Sequence, residues 1–342
     1  MKKHKHEENI QFNNHLTSAE MGKLWATYQG NTMGKCVLSY FLRHLEDAEI
    51  KKVVEGALDL TNTFMKDIKR IFNDADFPLP VGFTEEDVNL EAPRLFYDEF
   101  YLHYLRYLTK AGTSIYSAAI PIMTRKDTRD FFVESLKKTT KLMTDVHDVL
   151  AVKGVLGNAP ASPSPAGVDF VNRQSFLHGY FGEVRPLHGL EVAHLYDNLH
   201  NDITSKAVIL GFSQGARDRK VLKFLNRGRK LNTSHIDKFT NKLKKDNIAA
   251  PSLLDHLVTP STIPPFSDKL MVFHKIDMFS MKIRNYANGA SLNGRKDIGA
   301  LYARCLLDVS LYVEDGANIM IDNGWMEQPP IMIDRDQLSS YR

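Results

Sequence analysis

Carboxylates and imidazoles at metal-ligand spacing would be the strongest chemistry a helical chain could carry. This chain has a single Glu-x-x-His, Glu191-Val192-Ala193-His194. The i, i+3 spacing puts a carboxylate and an imidazole on one helix face. A di-metal centre inside a helical bundle needs two such pairs, plus a glutamate from each of two other helices. The segment most like it, at Glu20, continues with Lys23, whose ammonium cannot ligate a metal. The expected mid-helix acids elsewhere are missing, so a complete di-metal centre is not expected. A looser mononuclear site could draw on Glu191, His194, His235 and His274, and no other cofactor is predicted. The competing reading of Glu20 and Glu191 is helix capping. His4 and His6 read as a polar terminus.

Other reactive patterns are thin. Gly211-Phe212-Ser213-Gln214-Gly215 echoes the Gly-x-Ser-x-Gly nucleophile elbow. That motif needs a strand-to-helix turn, and here it joins two helices. Cys36 and Cys305 read as small core residues. No catalytic set emerges.

The elements that must hold these residues are helical. Ile50, Val53, Val54, Ala57, Leu58, Thr61, Phe64, Met65, Ile68, Ile71 and Phe72 repeat at i, i+3, i+4, i+7, the spacing of an amphipathic helix. Thr17-Ser18-Ala19-Glu20 is a capping box opening a helix over about 18–45. Further helices cover about 46–74, 96–122 and 127–153, and Gly154 ends the last. Four helices with one long connection, about 75–95, describe a four-helix bundle. That connection allows a ferritin-like crossover with the second and third helices parallel; up-down-up-down topology is the alternative. Parallel helices would carry His274 to the other end of the bundle from its candidate co-ligands.

The pattern occurs twice. At a shift of 171, residues 16–80 match 187–251 at ten positions, among them Glu20/Glu191, Lys35/Lys206, Phe41/Phe212, Asp47/Asp218 and Pro80/Pro251. Beyond Pro80 the shift becomes 170. It aligns Phe96 with Phe266, Tyr116 with Tyr286, Arg125-Lys126-Asp127 with Arg295-Lys296-Asp297, and Gly154 with Gly324. The reading is all-α: two tandem, ferritin-like four-helix bundles related by internal duplication. A polar tail (1–13) precedes a first bundle (14–156). A Pro/Ser linker and interface segment follows (157–184), then a second bundle (185–330) and a C-terminal tail (331–342). Phe170, Val171 and Phe176–Gly182 are apolar enough to pack across a domain interface. Asn31/Lys35 and Asp202/Lys206 sit at i, i+4, and read as exposed pairs in preference to a buried polar layer.

The 342 residues are 43% hydrophobic and 25% charged, with two cysteines. Those values exclude disordered, collagen-like and disulfide-scaffold classes. No apolar run approaches the roughly 18 residues of a membrane span, and the first residues show no signal-peptide core. The expectation is a soluble, cytoplasmic protein. Residues 217–245 carry eleven Lys or Arg against two Asp, whereas 46–74 carry five against seven Asp or Glu. Opposite charge on two copies of one helix reads as a solvated face whose charge has drifted or, more sharply, as head-to-tail self-association of the basic 217–245 with the acidic 46–74. Nucleic acid is not expected, for lack of a recognised motif.

Leu16–Glu20, Pro80–Asn89, Arg185–Leu187, Pro264–Leu270, Glu314–Met320 and Gly324–Pro330 together resemble a domain-of-unknown-function family of spore-forming bacteria. Its members look like tandem ferritin-like bundles, and some are described as candidate spore coat proteins. The resemblance implies fold and setting, with spore proteins as partners and a spore-associated location, but no mechanism. The expected function is a non-catalytic structural or interaction protein without a complete di-metal centre. The alternative is a metal- or small-molecule-binding protein with one loose site in the second bundle.

Overall fold

The computed structural model describes residues 15–161, 163–292, 294–332 and 334–335. The expected tail 1–13, with His4 and His6, and most of 331–342 lie outside them. Eight long helices appear among the described residues: α1 Ser18–His44, α2 Ala48–Asp74, α3 Asp98–Ala119, α4 Lys126–Val152, α5 Gly189–Gly215, α6 Arg219–Lys245, α7 Asp268–Ser291 and α8 Lys296–Asp322. Phe96 and Val258 form an isolated antiparallel bridge, and no described residue lies in an extended strand. No described helix is long and apolar enough to cross a membrane.

The duplication is visible in the helix ends. α5 starts and stops 171 residues after α1 (18 to 189, 44 to 215), and α6 does so after α2. α8 follows α4 by 170 (126 to 296, 152 to 322). The same local chemistry sets the ends in both copies. Asp47 and Asp218 cap α2 and α6 by accepting from two first-turn amides each, which satisfies donors with no helical partner. After those helices Asp76 and Asn247 take positive φ of 51° and 59°, the conformation short polar side chains tolerate best. Gly154 and Gly324 close α4 and α8 with φ of 72° and 64°. The next amides, Val155 and Trp325, reach back to the carbonyls of Leu150 and Met320, a Schellman stop.

The chain divides into two compact units. One comprises Met1–Leu90, Leu108–Val146 and Met326–Arg342; the other comprises Glu91–Tyr107 and His147–Trp325. The dividing lines fall inside α3 and α4, not in the linker. In the first unit Leu16, Leu24, Tyr28, Phe64, Ile68, Ile71, Phe72, Tyr116 and Phe132 form an apolar core. In the second, α5 runs antiparallel to α7: Asp202 meets Lys282 while Phe212, nearer the end of α5, meets His274 near the start of α7. α6 runs parallel to α7, since Asn232 meets Lys282 and His235 meets Tyr286. The second and third helices of that repeat are therefore parallel, and the connection between them spans the helix length.

Phe170, Val171 and Phe181 are 77%, 63% and 87% exposed. Phe176 is partly covered, with the Arg185 guanidinium 4.1 Å from its ring, and Gly179 is half-buried beside Asp297. The segment is almost free of regular structure and has no apolar face at helical spacing to present.

Candidate functional site

The centre of the second repeat holds a buried polar and ionic network. It is built from one residue type that rarely goes inside: lysine. Lys275 and Lys282 lie two turns apart on α7, in phase with Met271, Met278 and Tyr286, and both are buried. Their stems occupy the apolar stripe of the helix, so their ammonium groups are carried into the core.

Each charge then requires a partner. Lys282 Nζ lies 2.9 Å from Asp202 Oδ1 on α5, both side chains being essentially inaccessible. It also donates to Asn232 Oδ1 on α6. Tyr286 donates its hydroxyl to the Asp202 carboxylate at 2.8–2.9 Å and lies 3.0 Å from His235 Nδ1. His235 Nε2 is 3.4 Å from Asp308 on α8. Asn232 Nδ2 donates to Ser205 Oγ at 3.2 Å. Lys275 Nζ donates to the carbonyl and hydroxyl of Ser205 at 3.2 and 2.9 Å. All four helices of the repeat contribute.

The electrostatics follow from burial. Desolvation pushes the Lys275 amine well below its ordinary range, and the neighbouring Lys282 charge adds to that. Desolvation also lowers Lys282, with Asp202 opposing. It lowers His235 too, again against the pull of Asp202. Burial and the Asp202 charge raise the Tyr286 phenol well above its normal value, and burial pushes the Cys305 thiol up to about 12. The groups are held as donors and acceptors of one buried network.

Asp202 and Lys206 are thus not the exposed i, i+4 pair expected from sequence. Asp202 is fully buried, and Lys206 pairs with Asp255. The first repeat differs: Asn31 donates to the Thr27 carbonyl at 2.7 Å, and Lys35 is exposed.

The four candidate metal ligands are not brought together. Glu191 sits at the start of α5. Its carboxylate accepts from both Arg185 terminal nitrogens at 2.8 Å, from the His188 amide at 3.0 Å, and from the Gly294 and Arg295 amides at 3.1 and 3.0 Å. Glu20 repeats the arrangement, accepting from the Thr17, Thr124 and Arg125 amides and from the Thr124 and Thr128 hydroxyls. Each glutamate caps its own helix and ties it to the turn before α4 or α8. Burial alone would raise both carboxyls, but these donors outweigh it and hold each at about 2. His194 lies half-buried one turn on from Glu191. His235 belongs to the central network. His274 lies in an aromatic setting, with Nε2 2.7 Å from the Tyr104 hydroxyl and the ring against Phe212. Burial drives it well below its usual value. Among the described residues no group of three or more His, Cys, Asp or Glu is arranged to hold a metal ion.

The remaining motifs resolve simply. Gly211–Gly215 forms the last turn of α5, where Ser213 donates to the Leu210 carbonyl. Both cysteines are buried. The basic α6 is met by α8 in its own repeat: Lys220 pairs with Asp322, Arg227 with Asp315, Lys238 with Asp308 and Lys242 with Asp297.

The sequence signal for the central network was present. At shift 170 Lys275 falls on Leu105 and Lys282 on Gly112; at shift 171 His235 falls on Phe64. A lysine aligned with a core leucine of a sister copy marks an internal position.

Comparison with known proteins gives a family without an activity. A family model described as "Protein of unknown function (DUF3231)" matches residues 5–168 and again 175–338. No curated protein matches significantly. One solved structure, described as "a putative spore coat protein" from Bacillus halodurans, is similar at 13% identity. The match covers 44% of this chain and 98% of that one, with a TM-score of 0.39.

Proposed function

Because the chain belongs to the DUF3231 family twice over, and that family has no assigned chemistry, we propose its role from the centre of the second repeat: a non-catalytic structural or interaction protein. In this reading the fold is ferritin-like, and its metal position has been taken over by the protein's own cation. The observation that carries it is the Lys282 ammonium between Asp202 and Asn232. An inorganic cation there would meet the ammonium's repulsion and would find the acid already paired. The parallel α6 and α7 support the ferritin-like topology. The family resemblance supplies the setting, a spore-associated location with spore proteins as partners.

Metal analysis of the purified full-length protein tests this. The expected result is no stoichiometric iron, manganese or zinc, and a melting temperature unmoved by adding each ion. Stoichiometric metal that is lost in Asp202→Asn or His194→Ala would overturn the reading.

A further inference from the structure

We infer that the outer face of α8 is a self-association surface that pairs with the same helix of a second copy, antiparallel about a two-fold axis. Ala300, Arg304, Leu307, Leu311, Glu314, Asn318 and Ile321 follow one another at alternating steps of four and three. That is the a/d seam of a coiled coil, a narrow stripe repeating every 3.5 residues. The stripe faces outward: Leu307, Leu311 and Ile321 are 62%, 51% and 59% exposed, and Arg304, Glu314 and Asn318 are exposed as well. Of the acids that α8 uses inside its own repeat, Asp308, Asp315 and Asp322 lie off this stripe, while Asp297, three residues before Ala300, ends it in register but is buried against Lys242.

The occupant follows from the order of residues along the seam. In an antiparallel pair crossing at Val309, two facing positions must sum to twice 309. Leu307 then faces Leu311 of the copy, and Leu311 faces Leu307. Arg304 faces Glu314, and Glu314 faces Arg304. Ala300 faces Asn318. One axis thus puts leucine on leucine in two central layers and opposite charges in the two flanking layers. A two-fold interface demands this self-complementarity of one patch. Arg304 and Glu314 make no ion pair among the described residues, so both charges are available.

The first repeat is an internal control. On α4 the equivalents of Leu307 and Leu311 are Lys137 and Lys141. These are 77% exposed and paired along the helix with Glu134 and Asp145, the ordinary dressing of a solvated face. The same fold therefore does not need leucines there. The inference rests on the surface of α8 alone and is independent of the central network.

Sedimentation equilibrium of the full chain, from micromolar to near-millimolar concentration, is the test. The wild type is expected to be a dimer in equilibrium with monomer. Leu307→Lys with Leu311→Lys copies what the first repeat carries, keeps the helical circular dichroism, and should leave a monomer. Arg304→Glu alone should raise Kd by about tenfold or more, and adding Glu314→Arg should bring it back, because the swapped charges again face each other. A wild type monomeric throughout, or a dimer that survives both lysines with unchanged Kd, would overturn the surface. A charge swap that fails to restore the single variant would overturn the antiparallel register.

Discussion

The two copies of one four-helix unit fill their centres with different chemistry. In the second, Asp202, Asn232, His235, Lys275 and Lys282 form a hydrogen-bonded ionic layer. At the matching positions the first has Asn31, Thr61, Phe64, Leu105 and Gly112, and its described core is aromatic and aliphatic. Tyr286 and its counterpart Tyr116 are the exception. In the second copy the phenol meets Asp202 and His235; in the first the ring packs edge-on to Phe64 at 5.7 Å. The helix bounds agree between copies, so the central layer is not what specifies the fold. Capping, helix stops and the apolar stripe do that in both. The ionic layer is an addition, and a buried ion pair is weak grounds for stability. Its consequence is to occupy the interior with fixed groups.

The largest test of that contrast is removal of one ion. Asp202→Ala leaves the Lys282 ammonium buried and unpaired, and should destabilise the second unit by about 3–5 kcal/mol. Asn31→Ala at the matching position removes a bond to a local carbonyl and should cost under about 1 kcal/mol. Urea unfolding followed by circular dichroism measures both. Asp202→Leu with Lys282→Met replaces the buried ion pair with apolar side chains, and should recover most of the loss. If the double variant is as unstable as Asp202→Ala, the layer does more than neutralise itself.

Glu20 and Glu191 are where the copies agree. Each caps its helix through charge-assisted bonds, so Gln at either site should cost about 1.5–3 kcal/mol at neutral pH. The sign of the pH dependence is fixed by the depressed carboxyls. Both fall from the ordinary 4.5 to about 2, so their stabilisation is complete above about pH 4.5 and lost as pH falls through 2. Thermal melts between those values should show a shallower acid limb in each Gln variant than in the wild type.

Much of the architecture was legible because it is written in local chemistry. The Thr17 capping box, the stop at Gly154 and the change of shift from 171 to 170 each correspond to a feature of the structure. The interior of the second repeat was harder. A lysine on an apolar stripe looks like a solvated residue, since its stem can lie along the core and its head in water. Only the aligned Leu105 and Gly112 of the other copy argue otherwise. Asp202 misleads for a related reason. Its true partner, Lys282, is 80 residues away, while Lys206 stands at the spacing that a helix would pair. The scattered candidate ligands failed on geometry that periodicity does not carry. Glu191 is consumed by the backbone of a distant turn, and the parallel helices part His274 from His235.

Glycine spacing gives a smaller test. Gly228 on α6 leaves room for Tyr312, whose hydroxyl would lie 2.3 Å from an added Cβ, and Tyr312 stacks on Phe224 with centroids 4.2 Å apart. The first copy has Ala57 and Leu142 at these positions. Gly228→Ala should therefore cost about 1–3 kcal/mol by overpacking. At Gly56 an added Cβ meets only Leu142 Cδ1 at 3.7 Å, an ordinary contact. Gly56→Ala should stabilise by up to about 1 kcal/mol, since alanine loses less entropy in a helix interior. Opposite signs in one denaturation series would separate the two packings.

The smallest effect concerns the charges that first set the two copies apart. The basic α6 is balanced by a ladder of acids on α8, and most of these pairs are open to water: Arg227 and Asp315 are 50% and 44% exposed, Lys220 and Asp322 are 68% and 61%. Exposed pairs contribute little, because water screens them and two long side chains must be held. Asp315→Asn and Asp322→Asn should each change stability by less than about 1 kcal/mol, and less still at high salt. Lys242 and Asp297 form the inner rung, 19% and 2% exposed, and Asp297 also accepts from Arg295 at 3.0 and 3.1 Å. Asp297→Asn should therefore exceed either outer variant and keep its effect in salt. If all three respond alike, the ladder is a solvated face from end to end, and α6 keeps more of its charge for an outside partner than the pairing suggests.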